Sequence, residues 1–141
     1  MRKTLNCMIF FILFSAGVSY SHPHLFIETK VTVIFDEEGI SGIETRWIFD
    51  EMYSSALIED YDTDQNGKLN KQESDALKKG AFDNIAKYKY FSYIKIDGKE
   101  FNVERIEKFE GEIFLNQICY NFFIPCPVKA KKSDREIKIS M

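Results

Sequence analysis

The chain is 141 residues long, 45% hydrophobic and 29% charged, with 19 Lys and Arg against 22 Asp and Glu and a formal charge of −3. That length supports one domain with a core of its own and excludes two. A mildly acidic chain without a basic stripe argues against a phosphate-backbone binder, because its Lys-rich segments are interleaved with Asp and Glu in the manner of a solvated surface.

Residues 1–21 carry the three parts of a secretory signal: Arg2 and Lys3, an apolar core from about Cys7 to Val18, and small residues at Ser19 and Ser21. The cut is expected between Ser21 and His22. An uncleaved anchor is the alternative, but the apolar run is shorter than the ~20 residues a spanning helix needs. Cys7 precedes the apolar core, which argues against a lipoprotein. Processing leaves residues 22–141 as a single domain, with 17 Lys and Arg against 22 Asp and Glu.

Cleavage makes His22 the first residue, and His22 and His24 are the only histidines in the chain. A free α-amine titrating near pH ~8 and imidazoles near ~6.5 can both release protons to a divalent transition metal at neutral pH. Pro23 has no N–H, so it cannot supply the deprotonated amide of a square-planar amino-terminal copper or nickel site. The ligands must therefore be imidazole and amine, completed by Glu28, another carboxylate or water. Such a set suits nickel, cobalt, copper or zinc better than calcium. The other reading is a terminus that happens to carry two histidines.

Leu25 to Phe35 alternates, with Ile27, Thr29, Val31, Val33 and Phe35 on one face, the period of a half-buried strand. Asp36-Glu37-Glu38-Gly39 reads as a hairpin turn, and the return strand from Ile40 to Phe49 places Ile43, Thr45, Trp47 and Phe49 on one face. Asp50 is a fair N-cap for a helix through Tyr61, with Met52, Tyr53, Ala56, Leu57 and Ile58 as its apolar side.

Asp62 to Glu73 then matches the twelve-residue calcium loop of an EF-hand. Calcium is a hard cation that takes six to eight oxygens. Asp62, Asp64 and Asn66 offer side-chain oxygens at positions one, three and five, Lys68 offers its backbone carbonyl at seven, Asn70 binds directly or through water at nine, and Glu73 closes the site at twelve. Gly67 stands at the sharp turn, where a positive φ is needed, and Leu69 packs the loop onto its own domain. A polar surface turn between two helices is the competing reading. The outgoing helix is expected from Lys71 to about Tyr88, with Leu77, Ala81, Ile85 and Tyr88 at helical spacing and Gly80 weakening its middle.

From Tyr90 the period returns to two. Phe91 to Ile96, the turn at Asp97-Gly98, and Phe101 to Phe109 read as a second hairpin; an aromatic strand follows from Ile113 to Ile124, ended by Pro125 and Pro127. Glu136 to Ser140 starts one more strand. The expected fold is α+β: an antiparallel sheet or sandwich with a helix-loop-helix at about residues 50–89 inserted after the first hairpin. Cys119 and Cys126 could pair in a secreted protein, but six residues of extended chain hold them ~20 Å apart, so a bond demands a tight reversal near Phe123 to Pro125. They read otherwise as two small apolar residues; a thiolate metal pair lacks the usual Cys-x-x-Cys spacing.

His22-Pro23-His24-Leu25-Phe26-Ile27 directly after a signal, Trp47-Ile48-Phe49-Asp50-Glu51, and Asp62-Thr63-Asp64-Gln65-Asn66-Gly67 leading to Tyr90-Phe91 and a strand resemble, in that order, a family of bacterial periplasmic proteins of largely unknown function. That family is described as the periplasmic component of an uncharacterised transport system. Its members tend to be encoded beside inner-membrane permeases of the nickel/cobalt type, and some relatives are linked to zinc uptake. The resemblance implies a periplasmic metal-handling partner of such a permease, with His22 and His24 at the family's His-Pro-His. Family members continue past the last strand, so a chain stopping at Met141 is expected to be short or truncated. Two function classes follow: an accessory protein of transition-metal transport with a structural calcium loop, or a calcium-stabilised interaction module with no transition-metal role. No enzyme is expected. A copper oxygenase site or a Ser-His-Asp or Cys-His scheme needs a histidine from elsewhere in the chain, and there is no phosphate loop.

Overall fold

The computed structural model describes residues 25–130 and 135–141, so the signal segment, His22 and His24 lie outside the described residues. The first hairpin forms as the alternation predicts: β1 spans Ile27–Asp36 and β2 Gly39–Phe49, antiparallel, with Ile27 opposite Phe49. Asp36 closes the turn by accepting the N–H groups of Glu38 and Gly39 at 2.9 and 3.0 Å. On β2 the inward face is buried as expected, Ile43, Thr45, Trp47 and Phe49 being no more than 4% exposed. On β1 it is not. Ile27, Val31 and Phe35 are 37, 41 and 71% exposed, because β1 is the edge of a four-stranded sheet and the elements covering that sheet reach little beyond β2.

Asp50 caps helix α1 (Glu51–Tyr61), accepting from Tyr53 N–H, and its second oxygen holds Phe26 N–H, so one carboxylate ties the start of β1 to the helix. The buried side of α1 is Ser54 and Leu57, flanked by half-buried Tyr53, Ile58 and Tyr61; Met52 is exposed, contrary to the apolar pattern. The outgoing helix α2 covers only Lys71–Leu77, then widens into a π turn over Lys78–Phe82 and tightens into a 3₁₀ segment over Asp83–Phe91. A single helix to Tyr88 is thus not formed. The widened turn sets fully buried Phe82 against Trp47, Phe109, Tyr120 and Phe122. Gly80 lies against the Tyr61 hydroxyl, where a Cβ has no room. Lys89, Tyr90 and Phe91 end the segment at φ of 55, 52 and 50°, a left-handed exit that buries Tyr90 and redirects the chain into the next strand.

Strands β3 (Tyr93–Ile96) and β4 (Lys99–Phe101) flank Asp97-Gly98, both at positive φ as a type I′ hairpin requires. The expected return strand to Phe109 breaks after Phe101; β5 begins at Glu107 and runs to Phe114. The expected strand from Ile113 to Ile124 is likewise two strands. Leu115 and Asn116, at φ of 51 and 59°, turn the chain between β5 and β6 (Gln117–Lys129). Pro125 and Pro127 lie inside β6 and do not end it. Pro125 faces Gly42 where the β2 register slips, and β5 has already ended opposite Phe123, so the missing N–H groups fall at a bulge and a free edge. The last strand, β7 (Ile137–Ser140), pairs with β3.

The fold is α+β: one antiparallel sheet ordered β1-β2-β6-β5, a second ordered β4-β3-β7, and the helix-loop-helix after the first hairpin. The core is the inner face of the larger sheet together with Leu57, Leu77, Phe82, Ile94 and Val103. No helix among the described residues is long and apolar enough to cross a membrane. Cys119 and Cys126 are free and buried, because β6 stays extended between them, with no reversal near Phe123 to Pro125. Burial pushes both thiols above their ordinary range.

Candidate metal centre

The loop between α1 and α2 is built from its own side chains folding onto its own backbone. Asp62, the residue that ends α1, accepts the N–H of Asn66 at 3.1 Å with one oxygen and that of Gly67 at 2.9 Å with the other. Asp64 accepts from the Asn66 backbone and amide, and Asn66 Oδ1 accepts from Lys68 N–H at 2.8 Å. Gly67 stands at φ 76° with nothing within 4 Å of where a Cβ would be, so glycine is required there by conformation and not by space.

Asn70 then caps α2. Its Oδ1 accepts from Gln72 and Glu73, and Glu73 Oε2 accepts in return from Asn70 N–H at 3.0 Å, a complete capping box. Asn70 Oδ1 is thereby engaged by two backbone N–H groups of α2. The other Glu73 oxygen accepts from the backbone and hydroxyl of Thr63, at 2.9 and 2.6 Å. The Thr63 hydroxyl first, and Asn70 N–H next, hold the Glu73 carboxyl below its ordinary value and therefore ionised at neutral pH.

Carboxylate oxygens of Asp62, Asp64 and Glu73 all lie within 4.8 Å of one another. Asp62 and Glu73 are each 5% exposed, and none of the three has a Lys or Arg ion pair among the described residues. Asp62 also sits at the C-terminal end of α1, the negative end of the helix dipole. Buried like charges without a counter-ion are costly, and oxygen-only donors spaced to share one ion fit a hard divalent cation. Asn66, Lys68 and Asn70 belong to the same loop; Lys68 is exposed, so its ammonium is free to point into water. Glu28 is exposed on β1, opposite Ile48 and on the sheet face away from the helices.

Two residues with no metal-ligand signature hold this loop to the sheet. Ser54 Oγ on α1 accepts the N–H of Ile118 at 2.9 Å, and Ser74 Oγ on α2 accepts that of Gly111 at 2.8 Å, both in buried surroundings. Gly111 permits the approach, since a Cβ there would stand 2.7 Å from Leu77 and 3.4 Å from half-buried Leu69. Single hydroxyls on apolar helix faces look like surface positions in a sequence, so neither Ser54 nor Ser74 stands out there.

A family model described as "Protein of unknown function (DUF1007)" matches residues 7–141. An uncharacterised 15.5 kDa protein from the trpE 3′ region of Spirochaeta aurantia is 35% identical over 69 residues, 49% of each chain. An uncharacterised protein of Haemophilus influenzae is 36% identical over 83 residues, 59% of this chain and 38% of the relative. The matched segment thus spans half or less of either relative's length. No solved structure matches. The chain belongs to the DUF1007 family.

Proposed function

We propose that this DUF1007 chain binds one calcium ion through Asp62, Asp64, Asn66, the Lys68 carbonyl and Glu73, with Asn70 acting through water, and that calcium serves as a structural staple. The observation that carries the reading is the convergence of three carboxylates, two of them buried, with no Lys or Arg ion pair to any of them among the described residues. Calcium would supply that neutralisation, and a lone loop of this kind suits a compartment where calcium is plentiful, with affinity of ~10⁻⁴ to 10⁻³ M. The chain's own part is done before the ion arrives: Gly67 sets the turn, Thr63 and Asn70 N–H aim Glu73, and Ser54 and Ser74 fix the two helices on the sheet. At a hundred times Kd the ion adds about 2.7 kcal/mol of stability. Isothermal titration with calcium should give one site, lost in Asp62→Asn; unchanged heats and melting in that variant would end the reading.

The larger role we propose is an exported accessory protein of a transition-metal permease, with His22 and His24 capturing nickel, cobalt, zinc or copper. Its support is the order of motifs in the sequence. Mass spectrometry should find His22 as the first residue, and His22→Ala with His24→Ala should remove transition-metal binding while calcium binding persists; retained nickel, cobalt, copper and zinc affinities would refute it. The exposed apolar strip on β1 favours a second reading, a calcium-stabilised interaction module with no transition-metal role.

A further inference from the structure

The two edges of the larger sheet are treated differently. At β5 the helix α2 stands against the edge, with Ser74 taking the Gly111 N–H. At β1 no strand or helix among the described residues pairs with the outer edge, although the strand is ten residues long. Long bare edges with apolar side chains are templates for another strand, and natural proteins normally blunt them. Here the blunting is limited to a register slip near the far end, at Ile34/Phe35, and one outward lysine, Lys30.

The charges on β1 point to a particular occupant. Lys30 lies opposite Arg46 on β2, and Arg46 is already committed to Glu112 and to Asn121 at 3.0 Å. Lys30 therefore has a like charge on its paired side, and neither it nor Glu28 has an ion pair among the described residues. Placing a second copy antiparallel against this edge, with the two-fold axis at Thr29, sets Glu28 opposite Lys30 of the partner subunit and the reverse. The same register sets Ile27 opposite Val31 of the partner subunit on the inner face, and the two Thr29 residues face each other on the axis. Moving the axis to Lys30 would oppose two lysines; moving it to Val31 would leave Glu28 against Ile34 and Lys30 against Thr32. Of these three registers, all of which keep each side chain on its own face, only the first is self-complementary in charge and in apolar pairing.

We propose that β1 is the contact strand of a homodimer, a continuous antiparallel sheet through two copies with the two-fold axis at Thr29 and paired Glu28 and Lys30 across it. The interface covers Ile27 and Val31 and joins the bare edges of both copies. It uses none of the carboxylates of the Asp62, Asp64 and Glu73 cluster.

Sedimentation equilibrium on the full chain should show a monomer–dimer equilibrium. Glu28→Lys and Lys30→Glu should each weaken it at least tenfold, because each turns two attractions into two repulsions. An equimolar mixture of these two variants should recover the dimer as a heterodimer, a result that misfolded variants cannot give. As a second measurement, Thr29→Cys should form an intersubunit disulfide under mild oxidation while Val31→Cys does not, since only position 29 faces itself. A wild-type chain that stays monomeric to about 0.5 mM, a dimer indifferent to both charge reversals, or cross-linking at position 31 in preference to 29 would each overturn the proposal; the first would make Lys30 an edge guard.

Discussion

Replacing Ser74 by alanine isolates the bolt between the acidic loop and the sheet. In the native protein Ser74 Oγ accepts the Gly111 N–H at 2.8 Å, and both residues are buried. Alanine leaves that N–H without an acceptor, which costs about 1–3 kcal/mol, whereas the better helix propensity of alanine returns only about 0.5 kcal/mol. The net loss is about 1.5 kcal/mol. With a urea m-value of about 1.5 kcal/mol/M, the unfolding midpoint should fall by about 1 M at constant slope. Ser55→Ala is the control, because the Ser55 hydroxyl bonds only Met52 O at 2.9 Å on the exposed side of α1, and it should change stability by less than about 0.5 kcal/mol. A groove of about 420 Å³ lined by Leu69, Ser74 and Gly111 runs beside the bond. If water enters from that groove, Ser74→Ala will match the Ser55→Ala control, and the claim that the hydroxyl is structural fails.

Thr45→Val should stabilise the protein by about 1 kcal/mol in the same urea assay, since Thr45 is 2% exposed and its hydroxyl has no hydrogen-bond partner among the described residues. A loss of stability would mean that the hydroxyl is satisfied. The Glu73 carboxyl, held below its ordinary value of 4.5 chiefly by the Thr63 hydroxyl, contributes stability that is present above pH 4.5 and lost as pH falls through the lowered folded value. Acid unfolding curves recorded without calcium should therefore lose their steepest segment below pH 4.5 in Thr63→Val, and a curve superimposable on wild type would remove Thr63 as the cause.

The sequence made the loop and the first hairpin legible because both rest on local rules. Strict alternation marks β2, an aspartate two residues before Met52 caps α1, and carboxylates at fixed intervals mark the acidic cluster. What stayed hidden rests on tertiary context. The pattern Ile27, Val31, Phe35 looks like any half-buried strand, and whether a layer covers it depends on strand order, which alternation does not encode. Leu115-Asn116 turns without glycine, so β5 and β6 read as one run. Pro125 and Pro127 are poor strand residues in general, yet they fall where neither neighbour needs their N–H. Helix α2 gives way at Lys78–Phe82, where Gly80 marks a weak point, but nothing local announces that the chain widens there to bury Phe82.

The acidic cluster and the covered sheet edge follow from the same piece of chain. Glu73 closes the cluster and its neighbour Ser74 bonds β5, so any shift of α2 that releases Gly111 also withdraws a carboxylate from Asp62 and Asp64. Three like charges within 4.8 Å repel one another where α1 meets α2, and the calcium ion proposed above would relieve that repulsion. Helix α2 shields the β5 edge, whereas β1, which has no such cover among the described residues, is the edge through which we propose that this sheet meets another.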